Sequence, residues 1–161
     1  MRELILLRHA HAVPAGAGQA DLDRPLSPEG LAEAEAAGRW IKDNGWVPDC
    51  VLCSPSRRTR ETLEAVLGEV GYIDQRIEPS IYEATPGGLI ALADAHRDVG
   101  RLMLVGHNPG LERARGNRRQ RPRAHGWRHG HQNAPRRAIP GSSATSLGIV
   151  STATPPGGMP R

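Results

Sequence analysis

Residues 3–9 read Glu-Leu-Ile-Leu-Leu-Arg-His, and this stretch decides the fold class. Glu3–Leu7 is short and almost continuously apolar, the pattern of a strand buried on both faces in a parallel sheet. It stops abruptly at Arg8 and His9. The arrangement recurs at Cys50–Cys53 (Cys-Val-Leu-Cys), broken by Ser54-Pro55, and at Arg101–Val105 (Arg-Leu-Met-Leu-Val), followed by Gly106-His107-Asn108-Pro109-Gly110. A further strand is expected over Ile77–Tyr82, with Glu83 after it.

Helical patterns lie between these runs. Ser27 is an N-cap, with Pro28 at the first helical position and Glu29 in the first turn. Leu31, Ala34, Ala37, Gly38 and Ile41 follow near helical spacing, and Asn44-Gly45 ends the helix. Arg57–Val70 reads as a second helix with Leu63, Val66, Leu67 and Val70 on one face. Pro86–His96 reads as a third, with Leu89, Leu92 and Ala93 as its apolar side. Strands alternating with helices predict an α/β fold with a mostly parallel sheet.

Composition narrows the class. The chain has 161 residues, enough for one domain of ordinary size. It contains no Phe, so Leu, Ile, Val and Ala must build the core. No stretch approaches the ~18 consecutive apolar residues of a membrane-spanning helix. Met1–Leu7 runs into Arg8-His9 without the apolar region and small-residue cleavage site of a signal peptide, so a soluble cytoplasmic protein is expected. Two cysteines cannot make a disulfide scaffold. Cys50 and Cys53 spell C-x-x-C, but residues three apart in a strand point to opposite faces, so buried thiols are expected rather than a metal or redox pair. His125, His129 and His131 lie too far along the chain to complete a zinc finger with them. Gly16-Ala17-Gly18 is a loop, and no phosphate-binding glycine motif occurs.

The net charge of +4 conceals a division. Residues 1–112 hold 11 Lys and Arg against all 17 Asp and Glu, a net of −6. Residues 113–161 hold 10 Arg and neither Lys nor any acidic residue, a net of +10. This segment is rich in Gly and Pro, has no helical apolar period, and is expected to be largely disordered. Only Ser146–Ser151 has the composition of a short strand. A basic tail that binds nucleic acid and a shifted reading frame both explain such a segment.

Ligands of open parallel sheets bind beyond the carboxyl ends of the strands. There the sequence places Arg8 and His9, Ser54 with Arg57 and Arg58 one turn on, Glu83, and His107. Guanidinium forks match phosphoryl oxygens, and imidazole can act as a nucleophile. Each residue has an ordinary alternative: a turn histidine, a solvated helix face, a loop carboxylate. Their arrival together at separate strand ends is what points to phosphoryl chemistry.

Arg8-His9-Ala10 resembles the Arg-His-Gly/Ala signature of the histidine phosphatase superfamily, which includes phosphoglycerate mutases and acid phosphatases. Ser54-Pro55-Ser56-Arg57-Arg58-Thr59-Arg60-Glu61-Thr62 is similar to its Ser-x-x-x-Arg-x-x-x-Thr segment. Val105-Gly106-His107-Asn108-Pro109 resembles its second histidine motif, and Arg24-Pro25-Leu26-Ser27-Pro28-Glu29-Gly30 the stretch that opens its first helix. The short spacing, without a large inserted cap, is most similar to the SixA-type phosphohistidine phosphatases. The resemblance covers residues 1 to about 112.

It implies a three-layer α/β/α fold of the phosphoglycerate mutase type, with an aberrant C-terminal part. It implies that His9 is the nucleophile and forms a transient phosphohistidine. Arg8, Arg58 and His107 would hold the phosphoryl oxygens and stabilise charge in the transition state. Glu83 lies where many relatives carry a carboxylate that protonates the leaving group, and Asp23 is the other loop carboxylate that could serve. Arg57 would be a neighbouring surface cation. No metal or cofactor is implied. The expected partner is a phosphorylated protein, such as a histidine phosphotransfer domain, with inorganic phosphate as product. Nucleic acid would bind only through the tail. A small-molecule phosphomonoesterase and an inactive phosphatase fold with a polyanion-binding tail are the alternatives.

In the family, the second histidine motif leads into an apolar helix and a strand that completes the sheet. Here Leu111-Glu112 begins that helix and the pattern collapses at once, which favours the shifted reading frame. Residues 1–112 are therefore expected to be an incomplete domain. One strand edge would be unpaired and apolar sheet surface uncovered, giving a marginal, aggregation-prone domain.

Overall fold

A computed structural model describes residues 2–114 and 147–152. Its elements are β1 (Arg2–Arg8), α1 (Pro28–Asp43), β2 (Cys50–Cys53), α2 (Arg57–Val70), β3 (Asp74–Ile77), α3 (Pro86–Ala95), β4 (Arg101–Gly106) and β5 (Leu147–Thr152). Short 3-10 turns cover Asp21–Asp23 and Pro79–Ile81, and residues 110–114 are helical. The sheet order is β3-β2-β4-β1-β5. The first four strands are mutually parallel, and β5 is antiparallel to β1.

The sheet divides the core in two. Leu4, Leu6, Leu52, Leu102 and Leu104 pack on one face with Leu89 and Ala93 of α3 and with Leu111 and Ala114. Ile5, Leu7, Val51, Met103 and Val105 pack on the other with Ala37 and Ile41 of α1 and Leu63 and Val66 of α2. Alternate side chains of a strand point to opposite faces, so each buried strand feeds both cores. Cys50 and Cys53 obey the same rule, one in each core, both as free thiols. The expected α/β architecture with helices on both faces of a parallel sheet is the one observed.

The helices start where their caps dictate. Ser27 accepts from the Gly30 N–H, Ser56 from the Thr59 N–H, and Thr85 from the Gly88 N–H. In α1, Ala34, Ala37, Gly38 and Ile41 are buried as expected, but Leu31 is exposed. A Cβ at Gly38 would lie 2.9 Å from Glu69 Cβ and 3.0 Å from Val66 Cα, so glycine is what lets α1 approach α2.

Two expectations need correction. The third strand is Asp74–Ile77, not Ile77–Tyr82: Pro79 lacks an N–H for the ladder and opens a 3-10 turn instead. All four residues of β3 are exposed, as an edge strand allows, which is why no apolar run marked it. The outer edge of β1 is not unpaired either, because β5 covers it with Leu7 opposite Leu147 and Arg2 opposite Thr152. The argument for marginal stability from that edge therefore loses its basis. The expected disorder, the shifted reading frame and the nucleic-acid-binding tail fall mostly on residues 115–146 and 153–161, outside the described residues. Among the described residues, no helix is long and apolar enough to cross a membrane.

Candidate active site

Hydrogen bonds at the strand ends bring the site together. The His9 N–H donates to the Gly106 carbonyl at 3.1 Å, and the Ser54 N–H to the Val105 carbonyl at 3.0 Å. These bonds level the ends of β1, β2 and β4, so His9, Ser54 and His107 leave the sheet on one edge. The loop after β1 is tied to α2 through the Ala10 N–H, which donates to Thr62 Oγ1 at 3.0 Å. Thr62 Oγ1 in turn donates to the Arg58 carbonyl at 2.7 Å. The last threonine of the Ser-x-x-x-Arg-x-x-x-Thr stretch thus joins the two motif segments. The Arg-Pro-Leu-Ser segment packs against the same loop. A Cβ at Gly30 would fall 2.0 Å from the His11 carbonyl oxygen, so only glycine fits there.

His9 Nδ1 lies 2.7 Å from the Ala10 carbonyl oxygen. A carbonyl only accepts, so Nδ1 carries the proton and Nε2 presents its lone pair. Burial pulls the His9 pKa down to about 4, against the raising effect of the Ala10 carbonyl and helped by the charges of Arg58, Arg8 and Arg24. The imidazole is therefore neutral at pH 7. His107 is also held near 4, first by burial and then by the Arg58 charge. The two rings lie 5.3 Å apart, tilted by 55°.

His107 Nε2 is 2.8 Å from Ser54 Oγ, and its Nδ1 is 3.4 Å from Arg58 Nη2. An arginine only donates, so Nδ1 is the acceptor and Nε2–H donates to Ser54. Arg58 is almost fully buried and pairs with Asp21: Nη1 donates to the Asp21 carbonyl at 2.7 Å and Nη2 to Oδ2 at 2.9 Å. The Nε atoms of Arg8 and Arg58 are both buried without a partner among the described residues. Two cationic donors without acceptors, beside two neutral imidazoles, make a cradle for an anion.

The structure thus brings His9, Arg58 and His107 together, and the Arg8 charge acts on both histidines. Arg57 is apart, in an exposed ion pair with Glu61 at 2.7 Å. Glu83 is exposed and lines a cleft of about 290 Å³ together with Tyr82, His107 and Asn108. Asp23 is also exposed, and its backbone carbonyl accepts from Gln19 at 3.0 Å. The carboxylate that reaches Arg58 is Asp21, two residues earlier. Sequence reasoning missed Asp21 and Tyr82. Their only signal was proximity to the Arg-Pro-Leu-Ser and Glu83 stretches.

Residues 4–98 match the model of the histidine phosphatase superfamily, branch 1. An uncharacterized chloroplastic protein of Arabidopsis thaliana is 36% identical over 124 residues, covering 70% of this chain and 57% of that protein. The chain therefore spans less than two thirds of that curated relative. Among solved structures, one from Agrobacterium tumefaciens, named as a phosphohistidine phosphatase SixA, superposes with a TM-score of 0.69 at 36% identity, covering 70% of this chain and 73% of that one. A protein histidine phosphatase SixA complexed with tungstate superposes with a TM-score of 0.58 at 26% identity, covering 68% and 71%.

Proposed function

From the premise that this chain belongs to branch 1 of the histidine phosphatase superfamily, we propose that it is a metal-independent phosphatase acting through a phosphohistidine on His9. The observation that carries this reading is the His9 tautomer: Nδ1–H is held by the Ala10 carbonyl, which leaves the Nε2 lone pair as the nucleophile, on a ring that feels the charges of Arg58, Arg8 and Arg24.

In the first step His9 Nε2 attacks phosphorus. A P–N bond forms, the bond to the leaving group breaks, and its electron pair leaves with that group. Arg8 and Arg58 neutralise the phosphoryl oxygens. His107 is neutral in the free site, but a phosphoryl dianion beside Nδ1 favours its protonated form, which then donates to an oxygen. In the second step water attacks phosphorus, the P–N bond breaks, and inorganic phosphate and neutral His9 return. Glu83 is the candidate for protonating the leaving group, from its place on the cleft shared with His107.

The proposed substrate is a phosphohistidine on a protein, such as a histidine phosphotransfer domain. A leaving imidazole demands less of an acid than an alkoxide does, which suits a site whose nearest candidate acid is solvent-exposed. The SixA proteins among the structural relatives support the same substrate class. The proposed setting is the cytoplasm, where free thiols such as Cys50 and Cys53 are the rule.

The test is phosphate release from a phosphohistidine protein and from p-nitrophenyl phosphate, with EDTA present, for the wild type and His9→Ala. His9-dependent release from the phosphoprotein, unaffected by EDTA, is the expected result. Release that survives His9→Ala, or that EDTA abolishes, contradicts the mechanism. Faster turnover of the small ester would move the assignment to a phosphomonoesterase.

A further inference from the structure

Among the described residues, Arg58 is held by Asp21 along one edge. Its Nη1 and Nη2 donate to the Asp21 carbonyl and to Asp21 Oδ2, at 2.7 and 2.9 Å. Its Nε–H has no partner among the described residues, and Nη2 also reaches towards His107 Nδ1 at 3.4 Å. A guanidinium is a rigid planar fork, so fixing one edge sets the direction of the other. Asp21 is itself clamped. Oδ2 accepts from the Tyr82 hydroxyl at 2.6 Å, and Oδ1 accepts from Arg24 Nη1 at 3.0 Å. Arg24 is anchored in turn by Nε–H on the Val13 carbonyl at 2.9 Å. The Tyr82 ring also stands edge-on to His107, with centroids 5.4 Å apart at 90°. One side chain thereby braces both Asp21 and His107.

We propose that Asp21 and Tyr82 are positioning residues: together they aim the free Nε/Nη2 edge of Arg58 at the phosphoryl group and hold the His107 ring beside it. The identity of the anion rests on the function proposed above. A competing account makes Asp21 a plain counter-charge that weakens the pull of Arg58 on an anion. The two accounts predict opposite signs. The Asp21 side chain is 50% exposed, so water and salt screen its charge, whereas its hydrogen bonds fix geometry regardless of screening. Positioning is therefore the larger effect.

The experiment uses the full chain. Sodium tungstate binding is measured by titration calorimetry, and turnover of a phosphohistidine protein by phosphate release. Wild type is compared with Asp21→Ala, Asp21→Asn and Tyr82→Phe, each first checked for folding by circular dichroism. Asp21→Ala should weaken tungstate binding by about 10-fold or more, with kcat falling as well. Asp21→Asn keeps an acceptor oxygen without the charge and should restore part of the loss. Tyr82→Phe keeps the ring and should weaken binding about 3-fold, the size of one lost hydrogen bond. A purely structural role would lower the melting temperature and leave the dissociation constant and kcat of the folded protein unchanged; that result overturns the proposal. Tighter tungstate binding in both Asp21 variants also overturns it, in favour of the counter-charge. If the wild type binds tungstate and Asp21→Ala does not, while neither turns over phosphohistidine, positioning stands and the phosphatase assignment falls. If the wild type binds no tungstate, both fall.

Discussion

Ser54 Oγ lies 2.8 Å from His107 Nε2, across 53 residues of sequence, and this hydrogen bond sets which nitrogen of His107 faces the anion cradle. Ser54 is fully buried at the end of β2, so it cannot be replaced there by bulk water. Ser54→Ala should leave the Nε2–H without an acceptor and let the imidazole turn. We expect kcat/KM for a phosphohistidine protein to fall about 10-fold or more, with the circular dichroism spectrum unchanged. Unaltered kinetics would show that the ring is held by other contacts.

The depressed histidines give a pH signature. His9 and His107 both titrate near 4 in the folded protein, against 6.5 ordinarily. Because His9 must be unprotonated to attack, the acid limb of kcat/KM for the free enzyme should lie near pH 4 rather than near 6.5. Stability moves the same way. Between pH 6.5 and about 4 the unfolded chain binds protons that the folded histidines refuse. The contribution of each buried neutral imidazole is thus complete above pH 6.5 and is lost as the pH falls to about 4. Melting temperatures across this range should decline for the wild type, and less steeply for His9→Asn. Equal slopes would mean that His9 takes up its proton over the same pH range in the folded and unfolded chains.

Thr62 makes a different prediction. Its hydroxyl is fully buried, accepts from the Ala10 N–H and donates to the Arg58 carbonyl. Thr62→Val preserves shape but leaves the buried Ala10 N–H without its acceptor, while the Arg58 carbonyl keeps its helical backbone bond, at a cost of about 1–3 kcal/mol. Chemical denaturation would measure it. Because Ala10 also carries the carbonyl that fixes the His9 tautomer, activity of the folded fraction should fall too.

The thiols should be inert in the native state. Burial pushes the Cys53 pKa up to about 12, and burial with the neighbouring Asp74 raises that of Cys50. Mass spectrometry after iodoacetamide treatment at pH 7.5 should find neither alkylated until denaturant is added. Rapid native labelling would contradict the two-core placement.

Much of this molecule was legible before its structure. The strands read at Cys50–Cys53 and Arg101–Val105, and the helices opened by Ser27-Pro28 and by Pro86, are written in local chemistry: apolar runs, a hydroxyl cap and prolines at the first helical position. The strand-end residues Arg8, His9, Arg58 and His107 were visible for the same reason, since a parallel sheet of this kind delivers whatever follows its strands to one edge. The third strand was misplaced because an exposed edge strand needs no apolar pattern, and Asp74-Gln75-Arg76-Ile77 carries none.

By itself, then, the sequence determined the α/β alternation, the division of charge at residue 112 and the set of residues at the strand ends. Tertiary structure alone decided that β5 covers β1, that Asp21 rather than Asp23 meets Arg58, that Tyr82 links Asp21 to His107, and that the proton of His9 sits on Nδ1. The reason is physical. Helix caps and apolar runs depend on neighbours a few residues away, whereas a hydrogen bond between Tyr82 and Asp21, 61 residues apart, depends on strand register, crossover and burial acting together.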